Sequence, residues 1–436
     1  MNIRLFPEQA AQKPMRDILG MNNSPTITSK GNTNFEKPYF EALNLAHLRF
    51  HDAALCNAGQ QLIDIHRIFP LFHLDETDPR NYFFAQTDDY LRVIADGRAE
   101  IDFKLGESID HSENGRLIDA PEDPDKWARI CRNIIGHYKN GEMNGMHLNI
   151  TRVTVWEEPD GTTTLFRGTV RQYTELFCKV YQLLKADFPD LKIGGPSTRC
   201  GNFSYIRDFL SICKENGIMP DYITTTMYIR DIPFMLDTLR DYRKLTDSFG
   251  GEHIPCSFGE WHFGPTAWDK CDHVYENGLY TTQNAAFTAA ALIELMDVTY
   301  LDTVYYYAWG SSSWGVQDKY STTGRRMLPV YYGLLLYQKV ATQCTRIALE
   351  QESHDGVYAL AGKTADGKAR LLIACYDAQP CTFTCAVPEA AACTLYTVTG
   401  TSKEEDATVG TPLPVENGAA TFRTDGNYGV YLLEFL

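Results

Sequence analysis

Residues 147–160, HLNITRVTVWEEPD, decide the fold that we expect. The run HLNITRVTVW is rich in β-branched residues, and apolar side chains recur along it, which is typical of a strand. In the next segment, residues 169–190, apolar side chains recur at helical spacing until a Phe-Pro-Asp sequence stops the run. A second apolar run, LKIGGPS at 191–197, follows directly. Strand, helix and strand in this order predict a crossover unit of a parallel sheet.

The same alternation continues on both sides of this unit. Further strands are predicted at 17–21, 45–51, 99–105, 222–228, 254–261 and 303–309. Further amphipathic helices are predicted at 125–141, 203–217, 235–251, 282–297 and 329–341. With the two strands above, the total reaches the number found in a closed (β/α)8 barrel. We therefore predict an α/β fold with a TIM barrel over residues 16–341.

The chain changes character after about residue 342. Short alternating runs such as GVYALAG, ARLLIACYD and YGVYLLEFL are separated by DG, ENG and DGN turns. This pattern predicts an antiparallel β-sandwich over residues 342–436. Residues 1–15 precede the first barrel strand and are a candidate for an additional edge strand of this second domain.

Composition excludes several classes of partner. The net charge of −16 disfavours binding to nucleic acid and to anionic membrane surfaces. The N-terminal residues lack the apolar core of a secretory signal, and the 12 cysteines are scattered without CxxC pairs. We therefore expect a cytoplasmic protein with reduced thiols and no membrane or nucleic-acid partner, and the oligomeric state stays open, a homo-oligomer included.

Two glutamate motifs lie at predicted strand ends. Glu157 and Glu158 follow the fourth strand, and Glu260 ends the seventh in the sequence SFGEWHF. In a barrel both ends belong to the active-site face, so both motifs are expected on one rim. Glycoside hydrolysis uses two such carboxyl groups, one to protonate the leaving oxygen and one to attack the anomeric carbon or to activate water.

These residues resemble a known family. Trp156, Glu158 and Pro159 are similar to the W-N-E-P motif of clan A retaining glycosidases. RFHDA at 49–53 and DYITTTMY at 221–228 resemble segments of glycoside hydrolase family 39, which includes β-xylosidases and α-L-iduronidases. That family also carries a C-terminal β-sandwich, so the resemblance covers most of the chain.

The resemblance implies roles for individual residues. Glu158 would be the general acid/base and Glu260 the nucleophile, with their carboxyl groups about 5 to 5.5 Å apart. Tyr228, Arg49 and His51 would support the nucleophile. A raised pKa of the acid would come from an apolar neighbour such as Trp156 and from a nearby negative charge. His262 and Glu107 are further candidates around the sugar, and Trp309, Trp268 and Trp314 would form its aromatic subsites.

Some positions depart from the family pattern. Glu157 replaces the asparagine that donates a hydrogen bond to the sugar 2-hydroxyl, whereas an ionised carboxylate only accepts one. Three outcomes are open: Glu157 is protonated and donates, it binds a cationic or differently arranged sugar, or the site is impaired. Thr226 stands in place of histidine, and Lys104 and Glu107 stand in place of glutamate and an aromatic residue.

The sequence therefore predicts a retaining, exo-acting glycosidase, similar to β-xylosidases, that cleaves a small glycoside by double displacement without a cofactor. A catalytically impaired sugar-binding protein on the same barrel is one alternative. A metal-dependent lyase or isomerase is another, although the sequence offers no convincing ligand set for it. His47 and His51 do not form a zinc pair in our interpretation, because this spacing in a strand separates them by about 13 Å.

Overall fold

We used a computed structural model of the 436-residue chain. It describes all residues except 26–35, 52–60, 95–96, 111–112, 114, 116, 267, 269–271, 312, 319–325 and 425. Two residues of the predicted RFHDA segment, Asp52 and Ala53, lie outside the described residues. No described helix is long and apolar enough to cross a bilayer.

Eight parallel strands form a closed barrel, which confirms the predicted fold class. The chain begins with strand β1 (Asn2–Ala10), which is not part of the barrel. The barrel strands are β2 (Leu19–Asn22), β3 (His47–Phe50), β4 (Glu100–Leu105), β5 (Ile150–Val155), β6 (Lys192–Thr198), β7 (Tyr222–Ile229), β8 (Cys256–Phe263) and β9 (Leu301–Tyr306). They pair in sequence order, and β9 closes the barrel on β2.

Helices surround the barrel on its outer side. The described helices are α1 (Lys37–Ala42), α2 (Ile65–Ile68), α3 (Ala85–Leu91), α4 (Pro124–Asn140), α5 (Val170–Asp187), α6 (Phe203–Glu215), α7 (Ile232–Ser248), α8 (Thr282–Leu295), α9 (Pro329–Ala341) and α10 (Glu404–Thr408). Short 3-10 turns lie at Pro79–Asn81, Arg92–Ile94 and Glu142–Asn144.

Local signals explain the bounds of the predicted crossover helix. α5 begins with a capping box, in which the side chains of Thr169 and Gln172 each bond to the other's backbone amide. Tyr173, Phe177 and Leu184 are among the residues that it buries against the barrel. Each such side chain contributes about 1.5–3 kcal/mol by leaving water.

The remaining strands lie outside the barrel. They are β10 (Gln317–Asp318), β11 (Arg326–Met327), β12 (Cys344–Gln351), β13 (Val357–Thr364), β14 (Ala369–Tyr376), β15 (Thr382–Ala386), β16 (Cys393–Val398), β17 (Thr411–Leu413), β18 (Val415–Glu416), β19 (Ala419–Arg423) and β20 (Tyr428–Phe435). β10 and β11 form a hairpin, and the others join β1 in the order β17-β16-β20-β14-β13-β12-β1-β15-β19-β18.

β1 lies inside this second sheet and not at its edge as predicted. It pairs antiparallel with β12 and parallel with β15, so it connects the two halves of the sheet. Ile3 and Leu5 of β1 enter the apolar core between these halves together with Leu371 and Phe383. The division at residue 342 stays a proposal about domain organisation.

The second sheet packs firmly on the barrel. Leu371 and Ile373 of β14 belong to the core of the sheet, whereas Leu372 and Ala374, on the opposite face, join the core of the barrel. Successive side chains of a strand point to opposite faces, so both faces of β14 are covered. The alanine-rich helix α8 supplies much of the contact and is buried along most of its length.

Candidate active site

A cavity of about 720 Å³ opens at the carboxyl ends of the barrel strands. This is the face on which TIM barrels carry their active sites. Its described lining consists of His51, Ile109, Glu157, Glu158, Leu165, Arg199, Cys200, Thr226, Tyr228, Glu260, Trp268, Tyr307 and Trp314. Both predicted glutamate motifs therefore contribute to one cavity.

A bulge in β8 places Glu260. The pairing of β7 with β8 shifts so that Thr225 faces Phe258 while Thr226 faces Glu260, which leaves Gly259 as the extra residue. A Cβ atom on Gly259 would lie 2.8 Å from the Oγ1 of Thr224. Glycine thus allows β8 to approach its neighbour at the residue before the glutamate.

Two neighbours hold the Glu260 carboxylate. The hydroxyl of Tyr228 donates to its Oε2, and the Nε2 of His51 lies 2.7 Å from its Oε1. Burial, and then the charge of Glu260, raises the pKa of the Tyr228 hydroxyl well above its ordinary value. Tyr228 therefore remains a donor at neutral pH, and its hydrogen bond favours the ionised form of Glu260.

A tight turn after β5 places Glu158. Trp156 and Glu158 both adopt left-handed backbone conformations, with φ of 63° and 38°. The amide of Glu158 donates to the carbonyl of Ser197 at 2.9 Å, and the amide of Gly161 donates to the carbonyl of Glu158 at 2.7 Å. Such conformations cost on the order of 1 kcal/mol each, and they cluster at functional sites.

The environment of Glu158 favours its protonated form. Thr226 Oγ1 donates to its Oε1 at 2.7 Å, and Arg199 Nε donates to its Oε2 at 2.8 Å. Burial, and then the charge of Glu260, raises the pKa of Glu158 to about 7, although both donors act in the opposite direction. A carboxyl group with this pKa can give and take a proton near neutral pH.

Glu157 is buried in an ion pair with Arg49 inside the barrel mouth. Its other oxygen accepts a hydrogen bond from Ser197 Oγ at 2.7 Å. The Nη1 of Arg49 also donates to Asn22 Oδ1 and to the carbonyl of Gly259, both at 3.2 Å. Burial lowers the pKa of Arg49, but Glu157 and nearby carboxylates outweigh this effect and raise it. Both charges are therefore compensated where water is excluded.

Aromatic side chains form another wall of the cavity. Trp268 lies edge-on to Tyr228 with ring centroids 5.6 Å apart, and Trp314 lies 5.4 Å from the same ring. Trp268 is 61% exposed, so it offers an open apolar surface at the entrance. Tyr307, directly after β9, completes the lining on this side.

Two predicted aromatic site residues do not line the cavity. Trp309 is buried, packs edge-on against Phe40 and donates its indole N–H to Glu36. The strand ends at Tyr306, so Tyr307 takes the position at the cavity that we expected for Trp309. Trp156 is also buried, and its indole N–H donates to the carbonyl of Leu165.

His262 and Glu107 lie behind the lining. His262 contacts the carbonyl of Phe263 and the hydroxyl of Tyr306, both at 2.7 Å. Burial lowers the pKa of His262 to about 4, so this side chain is neutral at pH 7. Glu107 bonds to His66, and burial raises the pKa of this carboxyl to about 7. Their predicted contacts with substrate stay predictions.

Sequence reasoning assigned no role to several residues that the structure places at the site. Arg199 follows β6 directly, and a charged residue at the end of a predicted barrel strand was the available signal. Ser197 lies in the same strand. Thr226 was noted only as a departure from the family pattern, yet it bonds to Glu158. Gly259 showed no signal because its importance depends on the β7–β8 pairing.

Two clusters of potential metal ligands occur among the described residues. One contains His51, Glu157 and Glu260, and the other contains Asp64, His66 and Glu107. In the first, the carboxylates already accept hydrogen bonds from Arg49, Ser197 and Tyr228.

In the second cluster, the ammonium group of Lys104 lies 3.6 Å from Asp64. Arg49 and Lys104 each lie beside one of these sets, where their side chains are placed to offset part of its negative charge.

Comparisons with known proteins agree with this fold. The model of the glycosyl hydrolases family 39 matches residues 81–239. A β-xylosidase from Caldicellulosiruptor saccharolyticus is 23% identical over 237 residues, which cover 50% of this chain and 44% of that protein. The match thus spans less than half the length of this curated relative.

Solved structures resemble the whole chain in fold. A glucosidase from Croceicoccus marinus has a TM-score of 0.77 at 18% identity, and the match covers 100% of this chain and 98% of the glucosidase chain. A monomeric β-xylosidase from Caulobacter crescentus has a TM-score of 0.71 at 15% identity, with coverage of 100% and 99%. The resemblance predicted from the motifs is confirmed, because residues 81–239 match the model of the glycosyl hydrolases family 39.

Proposed function

We propose that this protein is a retaining, exo-acting glycoside hydrolase, similar to β-xylosidases, that acts on small glycosides in the cytoplasm. The observation that carries the proposal is the pair of unlike carboxyl groups in one cavity. Glu158 has a pKa of about 7, whereas Glu260 is surrounded by hydrogen-bonding groups. A proton donor and a carboxylate nucleophile need these two environments.

The first half of the reaction forms a glycosyl ester. A carboxylate oxygen of Glu260 attacks the anomeric carbon as the bond to the leaving oxygen breaks. Glu158 donates its proton to that oxygen, so the leaving group departs as a neutral alcohol. Tyr228 and His51 keep the Glu260 carboxylate oriented towards the cavity while it reacts.

The second half releases the sugar. Glu158, now ionised, takes a proton from a water molecule whose oxygen attacks the anomeric carbon. The ester bond to Glu260 breaks, and both carboxyl groups return to their starting states. Two inversions at one carbon give net retention of configuration.

The environment of Glu157 bears on the three open outcomes for this residue. Both oxygens of Glu157 already act as acceptors, one from the guanidinium of Arg49 and the other from the hydroxyl of Ser197. In our proposal Glu157 therefore accepts hydrogen bonds from sugar hydroxyls and does not donate one.

The cavity suits a small ligand. Its volume lies within the range of small-molecule sites, roughly 300–1,000 Å³. Trp268, Trp314 and Tyr307 provide faces on which sugar rings can pack. The curated relative named a β-xylosidase supports pentosides as the first substrates to try.

A panel of aryl β- and α-glycosides tests the proposal. We expect hydrolysis of a β-glycoside, with the β-anomer as the first product in a proton NMR time course. Appearance of the α-anomer first would contradict the retaining mechanism. The Glu157→Asn variant, assayed on the same panel, should change the order of preferred sugars.

The alternative is a sugar-binding protein without turnover. Arg199 supports it, because its contact with Glu158 stabilises the carboxylate that cannot donate a proton. Calorimetric binding of a sugar combined with no hydrolysis of any aryl glycoside would favour this alternative.

A further inference from the structure

Arg199 introduces a positive charge at a cavity whose walls otherwise carry acids. It follows β6, lines the cavity, and is the one lysine or arginine among the described lining residues. Its Nε donates to Glu158 at 2.8 Å, while its side chain remains 51% exposed. The guanidinium is therefore in contact both with Glu158 and with the space that a ligand would enter.

The surrounding loop holds this arginine in place. The amide of Arg199 donates to Asp160 Oδ1 at 3.2 Å, and Asn202 donates to the other oxygen of Asp160 at 2.7 Å. A Cβ atom on Gly161 would lie 2.7 Å from the Nη2 of Arg199. Glycine at this position leaves room for the guanidinium beside the turn that carries Glu158.

Most of the hydrogen-bonding capacity of Arg199 is unused. Among the described residues only its Nε has a side-chain partner, so Nη1 and Nη2 are available to a ligand. A guanidinium presents its N–H groups in a planar fork that matches a carboxylate. Because Glu158 would protonate the leaving oxygen, a group bound by Arg199 belongs to the leaving-group side of the substrate.

Resting on the proposed function, we infer that Arg199 selects glycosides whose leaving group carries a carboxylate. The ionised Glu260 would repel such a group, and Arg199 supplies the charge that offsets this repulsion. Both an aromatic acid and a uronic acid present this chemistry, and separate substrates distinguish them.

A matched pair of aryl glycosides tests the inference. The 4-carboxyphenyl and 4-carbamoylphenyl glycosides have the same shape and differ in charge. We expect the ratio of their kcat/KM values to fall about fivefold in Arg199→Gln, as for a half-exposed ion pair. Arg199→Lys should keep part of the preference, and added salt should weaken it in the wild type. An unchanged ratio in Arg199→Gln would overturn the inference.

Arg207→Gln is the matched control, since Arg207 lies on the exposed face of α6. It should leave the ratio at the wild-type value. A sugar linked to a uronic acid, compared with its uronamide, then shows whether a sugar acid or only an aromatic acid is selected.

Failure of the proposed function is distinguishable from failure of the inference. If no glycoside is hydrolysed, the proposed activity is wrong, and binding decides the role of Arg199. The probes are the 4-carboxyphenyl and 4-carbamoylphenyl thioglycosides. Tighter binding of the carboxylate by the wild type, lost in Arg199→Gln, supports the inference, and equal binding of the two probes contradicts it.

Discussion

On one side of the cavity Glu260 accepts a hydrogen bond from the hydroxyl of Tyr228 and lies beside His51. On the other side Glu158 accepts hydrogen bonds from Thr226 and from the half-exposed Arg199. Glu260 belongs to a barrel strand, whereas Glu158 lies in a turn with left-handed backbone. The first arrangement holds a carboxylate in one orientation. The second places a carboxyl group in contact with a half-exposed, charged side chain.

The comparison shows how one residue type can serve two roles. Glu158 has donors to both oxygens, yet burial and the charge of Glu260 still raise its pKa to about 7. In the proposed mechanism Glu158 thus depends on Glu260, because the charge of Glu260 helps to keep the proton on Glu158. Four substitutions test this division between the two glutamates.

Removal of the nucleophile should have the largest effect. Glu260→Ala should reduce kcat by roughly 10⁴-fold or more, as is usual when a covalent nucleophile is lost. The measurement is steady-state hydrolysis of an aryl β-glycoside with and without azide. Azide should restore turnover and give an α-glycosyl azide, because it attacks once from the vacated side. Near-normal activity of the variant would contradict the proposed role of Glu260 as nucleophile.

Removal of the acid should depend on the leaving group. Glu158→Ala should lose about 10²–10⁴-fold on natural glycosides, the usual contribution of general acid catalysis. Activated aryl glycosides should lose far less in the first step, since a good leaving group does not need the proton. Parallel assays on a disaccharide and a dinitrophenyl glycoside check this. Equal losses on both substrates would argue against the assigned role.

Loss of a donor to Glu260 should have an intermediate effect. Tyr228→Phe removes a hydrogen bond to a carboxylate, and such bonds contribute about 1.5–3 kcal/mol. We expect kcat/KM to fall about 10- to 100-fold. Tyr181→Phe, a change on α5 away from the cavity, is the control. Wild-type activity of Tyr228→Phe would show that the tyrosine does not orient the nucleophile.

Loss of a donor to Glu158 should act mainly on pH dependence. The acid must be protonated, so kcat/KM should fall as pH rises through about 7. The hydroxyl of Thr226 stabilises the ionised form of Glu158. Thr226→Val should therefore move the fall in kcat/KM to higher pH, by less than about one pH unit. The measurement is kcat/KM from pH 5 to 9 on a poorly activated aryl glycoside, and Thr226→Ser is the control. A shift to lower pH would contradict the role of this hydrogen bond.

The fold followed from local patterns because parallel strands buried on both faces appear as short apolar runs. Glu158 and Glu260 could be placed on one rim for the same reason, since all barrel strands end on one face. The residue at which a strand ends is harder to predict from sequence than the strand itself, and this explains the outcome at Trp309. The strand ends at Tyr306, and Tyr307 lines the cavity in place of the tryptophan.

Other features depend on contacts that no pattern along the chain shows. Arg199 reaches Glu158 because Gly161 and Asp160, from another loop, leave room for it and bind its amide. Glu157 is compensated by Arg49 from a strand two positions away in the barrel. The internal position of β1 likewise depends on its pairing with β12 and β15, far along the chain.

In the proposed mechanism Glu260 forms a covalent bond to the sugar while Glu158 transfers the proton. Mass spectrometry after incubation with a 2-deoxy-2-fluoro β-glycosyl fluoride can detect this bond, because the fluorine slows the second step and allows the ester to accumulate. We predict one label per chain, on the peptide that contains Glu260, and no label on Glu260→Gln. A label on the peptide with Glu157 and Glu158, or turnover of β-glycosides without any label, would contradict the account.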